Sequence, residues 1–238
     1  DLLGGDKEYV ATMRLGLVTD TQDITGEVLE TNGTDGIGED DVRRVLASFV
    51  GETEQLPPMY SSVKVGGKKL YELAREGKTV ERKMRKITVY ETEYLGTAAE
   101  NEYKFRIACS KGTYIRTIID DAGRALGCGA CMTSLRRTKA NGFSFADAVP
   151  LEEAEKLAKE GHIASVCRSS EGCFENLGRC TVPENGLKFY LNGGSIGEKR
   201  LSDVTERTEL MRAYSENGTF LGLCRLEEGE IKAVWKRI

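Results

Sequence analysis

Apolar positions switch repeatedly between a period of two and a period near 3.6, so strands and helices are interspersed along the chain. Residues 7–16 (KEYVATMRLG) have the β-branched and aromatic mix of a strand. Residues 17–26 form a polar turn closed by Gly26, and 26–31 make a return strand. Val42, Val45, Leu46 and Phe49 share a helical face, with Glu39, Asp40 and Asp41 in the first turn and Gly51 beyond the end. Two alternating stretches, 85–95 and 102–109, read as paired strands. They feed the stretch 107–127, where Ser110-Lys111-Gly112 breaks the alternation. Ile115, Ile118, Ile119, Ala122 and Leu126 then recur at helical spacing up to Gly127. A further strand covers 132–138 (MTSLRRT), and 150–161 make an amphipathic helix with Leu151, Ala154 and Leu157 on one face. Weakly patterned residues 162–178 form the expected linker. After it come a short helix within 182–193 and strands at 210–215, 219–226 and 230–237, with Asn217-Gly218 and Glu228-Gly229 as hairpin turns. The predicted architecture is α+β: a mixed, mainly antiparallel sheet with a central cleft, followed by a small barrel-like module of roughly 60 residues.

At 238 residues the chain can bury a substantial core and divide into a larger domain, 1–172, and a smaller one, 173–238. No apolar run reaches the roughly 18 residues of a membrane span, and no signal-peptide pattern opens the chain. Asp1-Leu2-Leu3-Gly4-Gly5, with no initiating Met, reads as an interior piece of a longer chain. Seven cysteines, an odd count, fit a reducing compartment better than a disulfide framework. Cys128-Gly129-Ala130-Cys131 is a CxxC, but it follows a helix and has no second ligand pair at matching spacing. The one histidine is His162. Buried thiols are therefore expected rather than a zinc or redox site.

A net charge of −4 argues against a uniformly basic nucleic-acid binder, yet residues 64–86 hold nine Lys or Arg against three Glu. Just ahead lies 55–64 (QLPPMYSSVK), held extended by adjacent prolines. Tyr60 and Tyr71 interleave here with Lys64, Lys68, Lys69 and Arg75, a mixture that holds single-stranded or looped RNA by stacking and phosphate contact. The same pattern also fits a solvated basic segment whose Leu70 and Tyr71 face inward. Arg116 falls in the first turn of its helix, where amide donors already favour an anion, and its guanidinium adds a bidentate fork. That corner holds either a carboxylate of functional use or a structural ion pair.

The stretches 7–26 (KEYVATMRLGLVTDTQDITG), 65–77 (VGGKKLYELAREG), 107–127 (IACSKGTYIRTIIDDAGRALG) and 132–138 follow one another as in the TruB-type tRNA pseudouridine synthases. The resemblance covers essentially the whole chain. It implies the pseudouridine synthase fold with flanking helices, an RNA-gripping insertion at about 55–86, and a C-terminal PUA-like domain that contacts the tRNA acceptor stem. The implied reaction turns a T-loop uridine into pseudouridine, with the base flipped into a pocket. Neither metal nor organic cofactor is implied. The implied partner is the tRNA T stem-loop, met in the cytoplasm by a monomer with no membrane attachment.

By this resemblance Tyr9 stacks against the uracil or takes its proton, Leu135 lines the uracil pocket, and Tyr114 is a pocket tyrosine near Asp23, the family's acidic position after Thr-Asp-Thr. Arg116 pairs with the aspartate that begins the chemistry at the ribose, keeping it ionised and oriented. Tyr60, Lys64, Lys68, Lys69, Tyr71 and Arg75 grip RNA, and Arg136 and Arg137 face RNA or solvent. The family carries its aspartate in an HTGxLDPxATG-like segment upstream of KEYVATMRLG, and these 238 residues contain none. Asp20, Asp23, Asp120 and Asp121 do not match it in context. The expectation is therefore a pseudouridine synthase that is inactive as this chain alone. Its competitors are a non-catalytic tRNA-binding or folding module and a thiol or metal protein built on Cys128 and Cys131.

Overall fold

The computed structural model describes residues 5–236, so positions 1–4 and the last residue of the strand expected at 230–237 lie outside it. Two compact units divide between Ala148 and Val149.

The first unit is built on β1 (Lys7–Leu15), β2 (Leu17–Thr19), β3 (Val28–Thr31), α1 (Glu39–Ser48), β4 (Gly51–Gln55), β5 (Lys64–Val65) and β6 (Lys68–Lys69). It continues through α2 (Leu70–Arg75), β7 (Arg85–Ala99), β8 (Glu102–Cys109), α3 (Ile115–Ala125), β9 (Ala130–Ala140) and β10 (Phe143–Ser144). Its six-stranded sheet runs β10-β9-β1-β8-β7-β4, and every neighbouring pair is antiparallel. β1 sits mid-sheet because its alternate side chains are apolar. Ala11 and Met13 are fully buried, and they meet Phe105 and Ile107 of β8 and the faces of α1 and α3 in one core. Val42 and Leu46 of α1 and Ile115, Ile118 and Ile119 of α3 are the helical contributors, as their spacing predicts.

The other face of the sheet is polar. Arg106 donates to Glu8, Glu91 and Glu93 at 3.0, 2.6 and 2.7 Å, and Lys139 reaches Glu8 at 3.2 Å. These five side chains cross β9, β1, β8 and β7 as one charged row. The Arg106 guanidinium is raised further above its ordinary value, chiefly by its bonds to Glu91 and Glu93.

Two expectations shift. The polar stretch 17–26 contains β2, paired with β3, and 51–55 forms an edge strand that apolar alternation did not announce. β4 reads GETEQ with its middle three residues exposed, so an edge position has removed the hydrophobic signal.

The second unit contains α4 (Leu151–Lys159), β11 (Arg179–Val182), α5 (Glu184–Leu191), β12 (Ile196–Gly197), β13 (Leu210–Ser215), β14 (Phe220–Glu227) and β15 (Glu230–Lys236). Its sheet runs β11-β13-β14-β15-β12, with β11 parallel to β13 and the other pairs antiparallel. Positive φ at both Glu228 and Gly229 gives the tight turn that the sequence signals. Cys180, Val182, Tyr190, Met211 and Ile231 are among its core residues. α4 differs from expectation, since it buries no residue and Leu151 is 75% exposed. The expected linker 162–178 holds two short 3₁₀ turns, Ile163–Ser165 and Glu171–Phe174.

Helix α3 lies so close to β9 that Gly123 has no room for a side chain. A Cβ there would overlap the backbone nitrogen of Ala130 and the carbonyl carbon of Gly129, and Gly129 N–H donates to Gly123 C=O at 2.9 Å. Alanine would gain about 1 kcal/mol in helix propensity but meets rigid backbone. Gly123→Ala should therefore lower the apparent Tm by roughly 4–8 °C, a loss of about 2 kcal/mol. A thermal melt with equal or higher Tm would overturn the close approach.

Candidate active site

The chain leaves β8 at Cys109, turns through Ser110 to Thr113 and enters α3, with Tyr114 extended at its cap. Tyr114 N–H donates to Gln55 Oε1 at 2.8 Å, and Gln55 Nε2 donates back to Tyr114 C=O at 3.1 Å. One side-chain amide thus satisfies a helix-start residue twice, and Gln55 is buried for that purpose. Arg116 follows in the first turn. Its Nη1 donates to Asp23 Oδ2 at 2.8 Å and to Thr21 C=O at 3.1 Å, and its Nη2 donates to Tyr60 C=O at 2.7 Å. Three of five N–H donors are thereby used among the described residues. That leaves the Nε–H and one Nη2 hydrogen for a further acceptor.

Arg116 and Asp23 are 21% and 18% exposed in their side chains, so this pair is better shielded than an open surface bridge. Burial pushes the Asp23 carboxyl up, but the Thr25 hydroxyl and N–H, and then the Arg116 guanidinium, pull it net below its ordinary value. A depressed carboxylate contributes stability above its unfolded pKa and loses it as pH falls through the folded one. Through neutral pH the pair therefore stays charged.

Tyr9, Leu135 and Arg137 gather on β1 and β9. Tyr9 faces Ile107 on one side and Arg137 on the other, and the Arg137 guanidinium stands 5.5 Å from the Tyr9 ring centroid. Tyr9 is only 9% exposed, and its hydroxyl has no hydrogen-bond partner among the described residues. Leu135 lies opposite Ala11, on the face that α3 covers elsewhere, yet it is 44% exposed. The Asp23 backbone bridges β9 at Met132, three residues before Leu135, which places it about 10 Å away along the strand. Arg136 is the exception, since its guanidinium sits over Phe145 at 5.0 Å.

The basic segment is tied to the same corner. Gln55 holds Tyr114, Tyr60 gives its carbonyl to Arg116, and Arg82 donates to Pro57 C=O at 2.9 Å. Between these anchors Lys64 and Lys68 project from the β5–β6 hairpin, exposed to solvent. Lys69 and Arg75 each stand 5.4 Å from the Tyr71 ring centroid, while Leu70 is fully buried. Tyr71 is half-buried, so the segment has both an inward anchor and an outward basic surface. Gln55, and Gln22, whose side chain accepts from Thr117 Oγ1 of α3 at 3.0 Å, escaped sequence reasoning. A lone Gln carries no motif, and their partners lie far away in the chain.

Cys128 and Cys131 are free and buried, and burial pushes the Cys131 thiol up, away from reactivity. Among the described residues no cluster of three or more His, Cys, Asp or Glu could hold a metal, and no helix is long and apolar enough to cross a membrane.

The profile of the TruB family pseudouridylate synthase N-terminal domain matches residues 1–115, and that of the tRNA pseudouridylate synthase B C-terminal domain matches 116–178. A tRNA pseudouridine synthase B of Clostridium perfringens is 38% identical over 232 residues, which is 97% of this chain and 78% of the relative. That of Chromohalobacter salexigens is 48% identical over 235 residues, covering 97% and 74%. That of Nitrosococcus oceani is 50% identical over 158 residues, covering 66% and 51%. The fold is shared with a chain of a Cbf5-Nop10-Gar1 complex, at TM-score 0.67 and 24% identity over 99% of this chain and 67% of that one. It is shared also with a chain of an H/ACA RNP bound to a substrate RNA containing 2'-deoxyuridine, at TM-score 0.67 and 21% identity over 99% and 66%. With relatives this similar along nearly its whole length, the chain belongs to the TruB family of tRNA pseudouridine synthases, which are isomerases.

Proposed function

We propose that this protein isomerises a T-loop uridine of tRNA to pseudouridine, and that the Arg116 corner is where the chemistry is controlled. The observation that carries the reading is the state of that guanidinium. It is held by Asp23, Thr21 and Tyr60, and among the described residues two of its donors have no partner and could take another carboxylate. Such a fork would hold an attacking aspartate ionised and aimed. Breaking the glycosidic bond, turning the base and rejoining it through carbon requires the base out of its stack, against a ring and an apolar wall. Tyr9 and the exposed Leu135 offer those, with Arg137 beside the ring and Tyr114 at the cap of the helix that carries Arg116.

Residues 1–172 would then act as the synthase domain and 173–238 as a PUA-like RNA-binding domain, whose five-stranded sheet supplies part of a barrel. Lys64, Lys68, Lys69 and Arg75 would hold phosphates, with Tyr60 and Tyr71 beside them, while Arg136 and Arg137 line the approach. The protein would work in the cytoplasm as a monomer, without metal or organic cofactor. The reactive aspartate is not among these residues by motif, so the 238-residue chain should bind tRNA without converting it.

Assaying the purified chain on a tRNA transcript should give binding and no pseudouridine. Product formation would show that a carboxylate among these 238 residues serves. In a form that also carries the HTGxLDPxATG-like segment, Arg116→Ala should cut turnover by about 100-fold or more with tRNA affinity nearly kept. Equal losses in rate and affinity would reduce Arg116 to an RNA contact, the non-catalytic reading. Replacing Lys68, Lys69 and Arg75 by Ala should flatten the plot of log affinity against log salt by about 2, at roughly 0.7 per phosphate contact with unpaired RNA. An unchanged slope would remove this segment from the interface.

A further inference from the structure

We infer that Gln22 is the positioning residue that sets where the Arg116 guanidinium stands. Gln22 adopts φ of +62°, in the left-handed region that a residue of its type rarely occupies. Such a conformation persists only where surrounding contacts fix it. Here they do so from two sides. Its backbone is held on β9, where Met132 N–H donates to Gln22 C=O at 3.0 Å. Its side-chain amide is held on α3, accepting from Thr117 Oγ1 at 3.0 Å and donating to Asp120 Oδ2 at 3.0 Å. Thr117 and Asp120 are both buried, and Arg124 Nε donates to the same Asp120 Oδ2 at 3.0 Å.

Adjacent residues of the loop therefore grip adjacent residues of the helix. Gln22 takes Thr117, and Asp23 takes Arg116. Neutral and matched on both of its ends, the amide fixes the loop against α3 without competing for the guanidinium. Thr21 C=O, on the other side of Gln22, is also an Arg116 acceptor. Two of the three contacts that place the guanidinium thus come from the residues flanking Gln22. Release of the amide would leave the Arg116–Asp23 pair able to form, but no longer at one place.

This deepens the reading of Arg116 given above, and only its kinetic arm rests on that reading. Gln22→Gly removes the amide and suits positive φ, so the fold should hold, with Tm within about 4 °C of wild type. Gln22→Asn also tolerates the conformation but is one methylene too short to span Thr117 and Asp120. The first readout is the Nε–Hε resonance of Arg116 in the labelled 238-residue chain, identified by its loss in Arg116→Lys. It should be sharp in wild type, and broadened or moved toward the free-arginine position in both variants. An unshifted, equally intense resonance in both would overturn the proposal. The second readout is turnover in the form carrying the aspartate segment. There kcat should fall by about 10- to 100-fold with KM and tRNA affinity unchanged, as for a misplaced catalytic group. Wild-type kcat in both variants would likewise overturn it. Absence of turnover in wild type would instead sink the functional reading, and the resonance alone would then decide the role of Gln22.

Discussion

The fold of the first unit turns on one ion pair and what it joins. Arg116 stands in the first turn of α3, Asp23 in the loop after β2, and Tyr60 at the head of the basic segment. Three stretches far apart in the chain meet at one guanidinium. Arginine suits this because its planar fork can take acceptors in several directions while its charge never titrates away. The dipole of α3 works against a cation at its start, so the position is held by specific partners rather than by the field of the helix. Asp23 cancels that charge locally, and its depressed pKa keeps the cancellation in force through neutral pH.

The placement of the corner depends in turn on ordinary packing. α3 is seated by Ile115, Ile118 and Ile119 on Ala11, Met13 and Ile107, and its far end touches β9 at a glycine. These contacts set the axis of the helix to well under the size of a side chain, because interiors of this density leave little slack. Polar bonds then refine the start of the helix. Gln55 closes on the Tyr114 backbone and Gln22 on Thr117 and Asp120. Apolar burial decides where the helix lies, and side-chain amides decide where its first residues point.

What the sequence disclosed follows the same division. β1, α1, α3 and the hairpins from β13 to β15 were legible because each buries one face, and burial writes its period into the chain. β4 was silent because GETEQ is an exposed edge, and β10 and β12 are two residues each, too short to carry any period. Leu151 misled because an apolar residue at helical spacing need not be covered. At the site, Arg116, Tyr9 and Asp23 stood out through the stretches that carry them. Gln22 and Gln55 could not, since each contact is made across a sequence separation of 59 or more residues and a glutamine shows no preference for it. Tyr60 stands out in the sequence for its ring, whereas its tie to the corner is through its carbonyl.

A second arginine, Arg106 on β8, is held by carboxylates alone among the described residues. Arg106 meets Glu8, Glu91 and Glu93 through Nη1, Nη2 and Nε, so every one of its nitrogens faces a carboxylate. Arg116, with almost the same exposure, has one carboxylate and two carbonyls. Carbonyls offer partial charge where carboxylates offer a full one, so a further carboxylate gains more at Arg116 than it would at Arg106. The row around Arg106 already carries more negative than positive charge, and a further acid there would meet repulsion. At Arg116 the local charge with Asp23 sums to zero. The two sites use the same number of donors and differ in the charge of their acceptors, three carboxylates at Arg106 against one carboxylate and two carbonyls at Arg116.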